Sequence, residues 1–138
     1  MNIYPLFSSS KGNSFCLEYN NTNILIDVGV SYSKIIKGLN NINKNISDID
    51  AILITHEHTD HIKGLEVLCK KNTIPIYSTY KTCECLTVEN TFGFNYEDKF
   101  NINELTIELF KTSHDAIMPC GFYIVSPTSS FTFATDLR

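Results

Sequence analysis

Residues 55–61 read Thr55-His56-Glu57-His58-Thr59-Asp60-His61 and hold three of the chain's 4 histidines. The stretch directly follows Ile49-Asp50-Ala51-Ile52-Leu53-Ile54, a nearly continuous aliphatic run of the kind a buried central strand requires. It directly precedes Ile62, Leu65 and Leu68, whose spacing predicts a helix from near His61 to about Lys71. In extended chain, side chains two positions apart point the same way. His56, His58 and Asp60 therefore emerge on one side, and the turn into the helix swings His61 toward the same pocket. Three imidazoles and one carboxylate converging at a strand end suit zinc, manganese or iron. The competing reading, a solvated loop with incidental histidines, would serve for one histidine but does not account for three at this spacing. The spacing i, i+2, i+5 also excludes the helical H-E-x-x-H arrangement, which needs i, i+4.

Outward from this segment, the chain opens with three short strand-forming runs, Ile3 to Phe7, Ser14 to Tyr19 and Asn23 to Val28. The turn cluster Ser8 to Asn13 and the tight turn Asn20-Asn21 separate them, which predicts antiparallel pairing. Ser31 to Leu39 reads as a helix that opens on a serine and carries Ile35, Ile36 and Leu39 near helical spacing. Further on, Ile74 to Tyr77 reads as a strand and Tyr80 to Glu89 as a short helix. Leu105 to Phe110, Gly121 to Val125 and Phe131 to Ala134 read as strands. This pattern alone gives an α/β or α+β domain, a sheet covered by helices on one face. With 138 residues and neither repeats nor linker-like stretches, a single domain spanning residues 1–138 is expected.

The net charge of −4 and the absence of a basic stripe beyond Lys70-Lys71 argue against strong non-specific nucleic-acid binding. They do not exclude a nuclease, because bound divalent ions would add local positive charge. No apolar run approaches a membrane span, and Met1-Asn2-Ile3-Tyr4-Pro5 lacks the basic and apolar regions of a signal peptide, so a cytoplasmic protein is expected. The five cysteines are odd in number, and Cys83 and Cys85 form C-x-C and not C-x-x-C, so reduced thiols are expected.

His56-x-His58-x-Asp60-His61 followed by Gly64 resembles the signature of the metallo-β-lactamase superfamily. Further matches occur in order: Leu25-Ile26-Asp27-Val28-Gly29, Ser113-His114-Asp115-Ala116 and Ala134-Thr135-Asp136. Ser8-Ser9-Ser10-Lys11-Gly12-Asn13-Ser14 and Pro119-Cys120-Gly121-Phe122 look like the WalJ/YycJ-like branch of bacterial hydrolases. The resemblance implies the N-terminal half of the αβ/βα sandwich of that superfamily. It also implies a binuclear metallohydrolase using two divalent ions, zinc or manganese. His56, His58 and His114 would hold the first, and Asp60, His61 and a bridging Asp136 the second. Asp60 would in addition orient the attacking water as the catalytic carboxylate, and Asp27 would support the ligands from behind. For Ser8 to Asn13 two readings stand: a plain hairpin loop, or a small-residue loop whose Ser10 and Asn13 meet an anionic substrate group. Glu57 and Asp115 match no ligand position, and Met118 stands where the branch has an acidic residue.

The branch resemblance points to DNA as substrate, cut by exonucleolytic hydrolysis of phosphodiesters. Thioester or lactone hydrolysis is the alternative within the superfamily, and a non-catalytic metal-binding fragment the alternative outside enzymes. The last arises because the branch has glycine after T-D-x, continues well beyond Arg138, and takes a further histidine from that region. An incomplete chain is therefore expected.

Overall fold

The computed structural model describes residues 1–134. Three strands, β1 (Asn2–Ser9), β2 (Gly12–Tyr19) and β3 (Thr22–Ile26), form the expected antiparallel meander. Pro5 is accommodated because β1 is an edge strand, and the register shifts between Pro5 and Phe7. Helix α1 (Tyr32–Asn41) returns the chain to β4 (Ala51–Leu53), which pairs parallel with β3. Two short helices, α2 (Thr59–Ile62) and α3 (Leu65–Lys71), then lead to β5 (Ile76–Thr79). Helix α4 (Tyr80–Cys85) and strand β6 (Thr91–Phe94) complete a sheet of order β1-β2-β3-β4-β5-β6. A second, antiparallel sheet of order β10-β9-β8-β7 comes from β7 (Lys99–Ile102), β8 (Leu105–Lys111), β9 (Cys120–Val125) and β10 (Ser130–Phe133).

The period of two divides the aliphatic strands between two cores. Leu25, Ile52 and Ile76 face the helices, where they pack with Ile35 and Leu39 of α1 and Leu65 and Leu68 of α3. Ile24, Ile26, Ala51 and Leu53 face the second sheet, where Leu105, Ile107, Leu109, Phe122 and Ile124 meet them. A strand buried on both faces must be apolar throughout, which is why β3 and β4 read as continuous runs. The expectation of helices on one face holds for the first sheet, and its other face is covered by the second sheet.

The expected helix from His61 to Lys71 is broken in two. A Cβ on Gly64 would lie 2.1 Å from the Val30 carbonyl oxygen, and the Gly64 N–H donates to the Val28 carbonyl. The chain therefore presses against the β3–α1 loop at the point where a continuous helix would diverge from it. Helix α4 ends at Cys85, short of Glu89, and strands β6 and β7 were not anticipated. Both are four-residue, partly exposed strands, too short for their alternation to stand out, and Gly93 admits the Tyr80 backbone that a Cβ would meet at 2.7 Å.

Candidate metal centre

The C-terminal end of β4 delivers Thr55 and His56 into the interior, both almost wholly buried. His58 caps the start of α2, Asp60 lies in its first turn, and His61 is buried at its end. His114 arrives from the loop between β8 and β9. The ligand-capable atoms of His56, His58 and His114 all lie within 4.8 Å of one another. His58 Nδ1 and His114 Nε2 are 3.2 Å apart. Two nitrogens each ~2.0–2.1 Å from a tetrahedral zinc stand ~3.3 Å apart, so this donor set fits such an ion with small side-chain adjustments. The His56 ring also lies close to those of His61 and His114, with centroids 4.0 and 4.2 Å away.

Beneath the histidines sits Asp27, fully buried and in the left-handed backbone region at φ 64°. That conformation costs a non-glycine residue roughly 1–2 kcal/mol and is tolerated best by Asp and Asn. Asp27 Oδ1 accepts the Thr55 N–H at 2.8 Å, and Oδ2 accepts the Thr55 hydroxyl at 2.8 Å. His61 Nδ1 is 2.6 Å from Oδ2. A carboxylate only accepts, so His61 Nδ1 carries the proton and Nε2 presents its lone pair. The Thr55 hydroxyl, its proton given to Asp27, accepts from His56 Nδ1 at 2.9 Å. One carboxylate thus fixes the tautomers of two histidines, one of them through a threonine. Burial pushes the Asp27 carboxyl above its ordinary range, while the His61 and Thr55 donors pull it back. Burial, reinforced by the neighbouring imidazoles of His61, His114 and His58, lowers the His56 pKa to about 3 and keeps the ring neutral, the form a metal needs.

The mouth of the site is looser. Asp60, its side chain 32% exposed, lies 3.4 Å from His61 Nε2. Asn13 Nδ2 donates to Asp60 Oδ2 at 3.3 Å and approaches the Asp60 carbonyl at 3.4 Å. A Cβ on Gly29 would sit 1.7 Å from that same carbonyl, so only glycine lets the β3–α1 loop close against Asp60. Asn13, which one of the two readings of the hairpin has meeting substrate, is thus bonded to Asp60. With Ser8, Ser9, Ser10, His58, Asp60 and His114 it lines a cavity of about 430 Å³. Ser10 is exposed at its rim. The loop carrying His114 is pinned by the Ile117 N–H donating to Glu57 Oε2 at 3.1 Å and by the Thr79 hydroxyl donating to the Met118 carbonyl at 2.7 Å. Met118 is buried, and its backbone carbonyl is what takes part.

The structure therefore brings together His56, His58, Asp60, His61 and His114 above Asp27. Asp136 lies outside the described residues. Thr55 and Glu57 are the contributors that the motif reading did not assign. The only sequence signal for Thr55 is a hydroxyl residue ending a buried aliphatic strand. All five cysteines are free, and burial pushes the thiols of Cys16 (to about 11), Cys69, Cys83 and Cys120 up, away from reactivity. No helix among the described residues is long and apolar enough to cross a membrane.

Two sheets with helices on the outer face of one, and a histidine cluster at the end of a central strand, define a metallo-β-lactamase-type fold. Residues 22–138 match the family described as the beta-lactamase superfamily domain, and the chain belongs to it. The structure superposes on a metallo-beta-lactamase of Cronobacter sakazakii with a TM-score of 0.81 at 14% identity, covering 99% of this chain and 56% of that one. The chain is 37% identical to the exodeoxyribonuclease WalJ of Streptococcus pneumoniae, over 95% of its own length and 52% of the relative's. It is 31% identical to the exodeoxyribonuclease YycJ of Bacillus anthracis over the same shares. The chain thus spans about half the length of these curated relatives. Membership of the superfamily implies divalent metal ions, and the histidine cluster is present to take them.

Proposed function

We propose that this chain carries the metal-binding half of a hydrolase that cleaves phosphodiesters of DNA from an end. The convergence of His56, His58 and His114 within 4.8 Å above the buried Asp27 carries the reading. The two exodeoxyribonuclease relatives favour DNA as the substrate. His56, His58 and His114 would hold one divalent ion, zinc or manganese, and Asp60 and His61, joined by Asp136, a second. Bound there, the ions would supply an acidified water and neutralise charge developing on the phosphate.

The chain's own side chains then have distinct tasks. Asp27 and Thr55 hold the His56 and His61 rings with Nε2 toward the site. Asp60, turned by the Asn13 amide, orients the attacking water and accepts its proton on a carboxylate oxygen. Ser10 and its neighbours in the hairpin border the cavity that would receive the phosphate, with hydroxyls and amides available to its oxygens.

The test is nucleotide release from linear duplex DNA with manganese or zinc, by the wild-type protein and by Asp60→Asn. Metal-dependent release that Asp60→Asn largely abolishes, with fold and metal content retained, supports the assignment. Activity confined to thioesters or lactones would move the protein to that branch of the superfamily.

A further inference from the structure

A second cavity, about 620 Å³, borders the site, and among the described residues His114 is the one common to its wall and the wall of the serine-lined cavity. Their linings differ in kind. Among the described residues the serine-lined cavity has neither lysine nor tyrosine, whereas the larger one is lined by Lys81, Lys111, Tyr80 and Tyr96. No acidic side chain among the described residues lines it, in a chain with 15 acidic and 11 basic residues. Tyr80 is 43% exposed and Ile117 52%, so two large apolar surfaces stand open beside two cations. Tyr80 is held rigidly, because it opens α4 and its backbone rests on Gly93 of β6. Tyr96 is turned by its hydroxyl donating to the Pro119 carbonyl at 2.7 Å, which ties this wall to the His114 loop.

Regularly spaced anions joined by flat, stackable faces are the chemistry of a single nucleic-acid strand, and cations interleaved with aromatic platforms are what bind it. We infer that the Tyr80–Lys81–Lys111 groove is the track for the single strand leading to or from the metal centre. The phosphate undergoing cleavage lies at His58, Asp60 and His114, and the neighbouring nucleotides run past His114. There Lys81 and Lys111 meet successive phosphates and a base stacks on Tyr80. The inference rests on the phosphodiesterase reading for its substrate, and its geometry rests on the shared His114.

The test separates the two. Binding of a fluorescent oligothymidylate is followed by anisotropy with metal chelated away, so that the groove is read without the metal centre. The double variant Lys81→Gln/Lys111→Gln, which changes two surface side chains, should weaken binding about tenfold at low salt. It should also flatten the dependence of log Kd on log salt by about 1.4, the contribution of two phosphate contacts to a single strand. Tyr80→Leu should weaken binding about tenfold and Tyr80→Phe should restore it, because the stacking face and not the hydroxyl is used. Unchanged affinity and salt slope in a folded double variant overturn the groove. So does an inorganic polyphosphate that binds as tightly as the oligonucleotide, with Tyr80→Leu without effect. DNA cleavage by the metal-loaded wild type is scored apart from this. Groove binding without cleavage would remove the hydrolase reading and leave the groove, and cleavage with indifferent groove variants would do the reverse.

Discussion

The floor and the mouth of the histidine cluster are built differently. On the floor, Asp27 after β3, Thr55 and His56 after β4 and His61 at the end of α2 are buried and joined by contacts of 2.6–2.9 Å. At the mouth, Asp60, Asn13, His58 and His114 sit on α2, a hairpin and a loop, joined by contacts of 3.2–3.4 Å. The floor uses the rigidity of a strand buried on both faces to fix ring orientation before any ion arrives. The mouth keeps the freedom that entering substrate and exchanging water require. Orientation and access, which conflict at one residue, are thereby assigned to separate layers of the same site.

Substitutions should therefore fall unevenly. Asp27→Asn tolerates the left-handed backbone but turns an amide N–H toward buried donors. It should cost about 3 kcal/mol of stability in denaturant titrations. Zinc affinity measured by calorimetry should fall roughly 10–100-fold. Wild-type stability and affinity in this variant would dissolve the distinction between floor and mouth. Thr55→Val, which removes only the relay hydroxyl, should cost about 1–2 kcal/mol and leave His56 weakly oriented, visible as a changed ring tautomer by NMR. A pH titration comes next. The native pKa of His56 is about 3 against an ordinary 6.5, so the unfolded chain binds the proton that the native one refuses. Stability is thus unaffected above about pH 6.5 and declines as pH falls toward 3, with less than about 1 kcal/mol lost from this group between pH 7 and 6 in metal-free protein. His56→Gln should shrink that loss, and an unaltered profile would mean that His56 is not the group responsible. At the mouth, Glu57→Gln keeps an oxygen for the Ile117 N–H and should shift stability by less than about 0.5 kcal/mol. A large loss there would show that the mouth is as tightly built as the floor.

What the sequence disclosed follows the same division. The histidine spacing at the end of an aliphatic run locates β4 and the cluster, but the expected extended chain through Asp60 does not form: β4 ends at Leu53, and Asp60 and His61 reach the site from helix α2. Asp27 is legible only as part of a motif, since nothing local says that its carboxylate lies under residues 55–61. The relay through Thr55 and the pin from Glu57 to Ile117 depend on tertiary approach, which periodicity does not encode. The break between α2 and α3 has the same origin: Ile62, Leu65 and Leu68 keep helical spacing across it, and the close contact of Gly64 with the Val30 carbonyl is invisible in the pattern. Strands β6 and β7 escaped because each is only four residues long: Lys99–Ile102 alternates, with Phe100 and Ile102 turned inward, and Thr91–Phe94 is half-exposed, but neither run is long enough to stand out from a loop. Asp136 lies outside the described residues, and its place as a ligand to the second ion remains part of the proposed function.

The left-handed backbone at Asp27 has a consequence for laboratory evolution. Glycine at position 27 would relax that conformation and remove a buried ionisable group in one step. It would also erase the acceptor that sets two imidazole tautomers. A library screened for heat resistance alone is thus expected to reject Asp27→Asn and to admit Asp27→Gly, while one screened for retained zinc keeps aspartate. Sequencing survivors from the two screens in parallel would show at one codon where tolerance of heat and competence for metal part company.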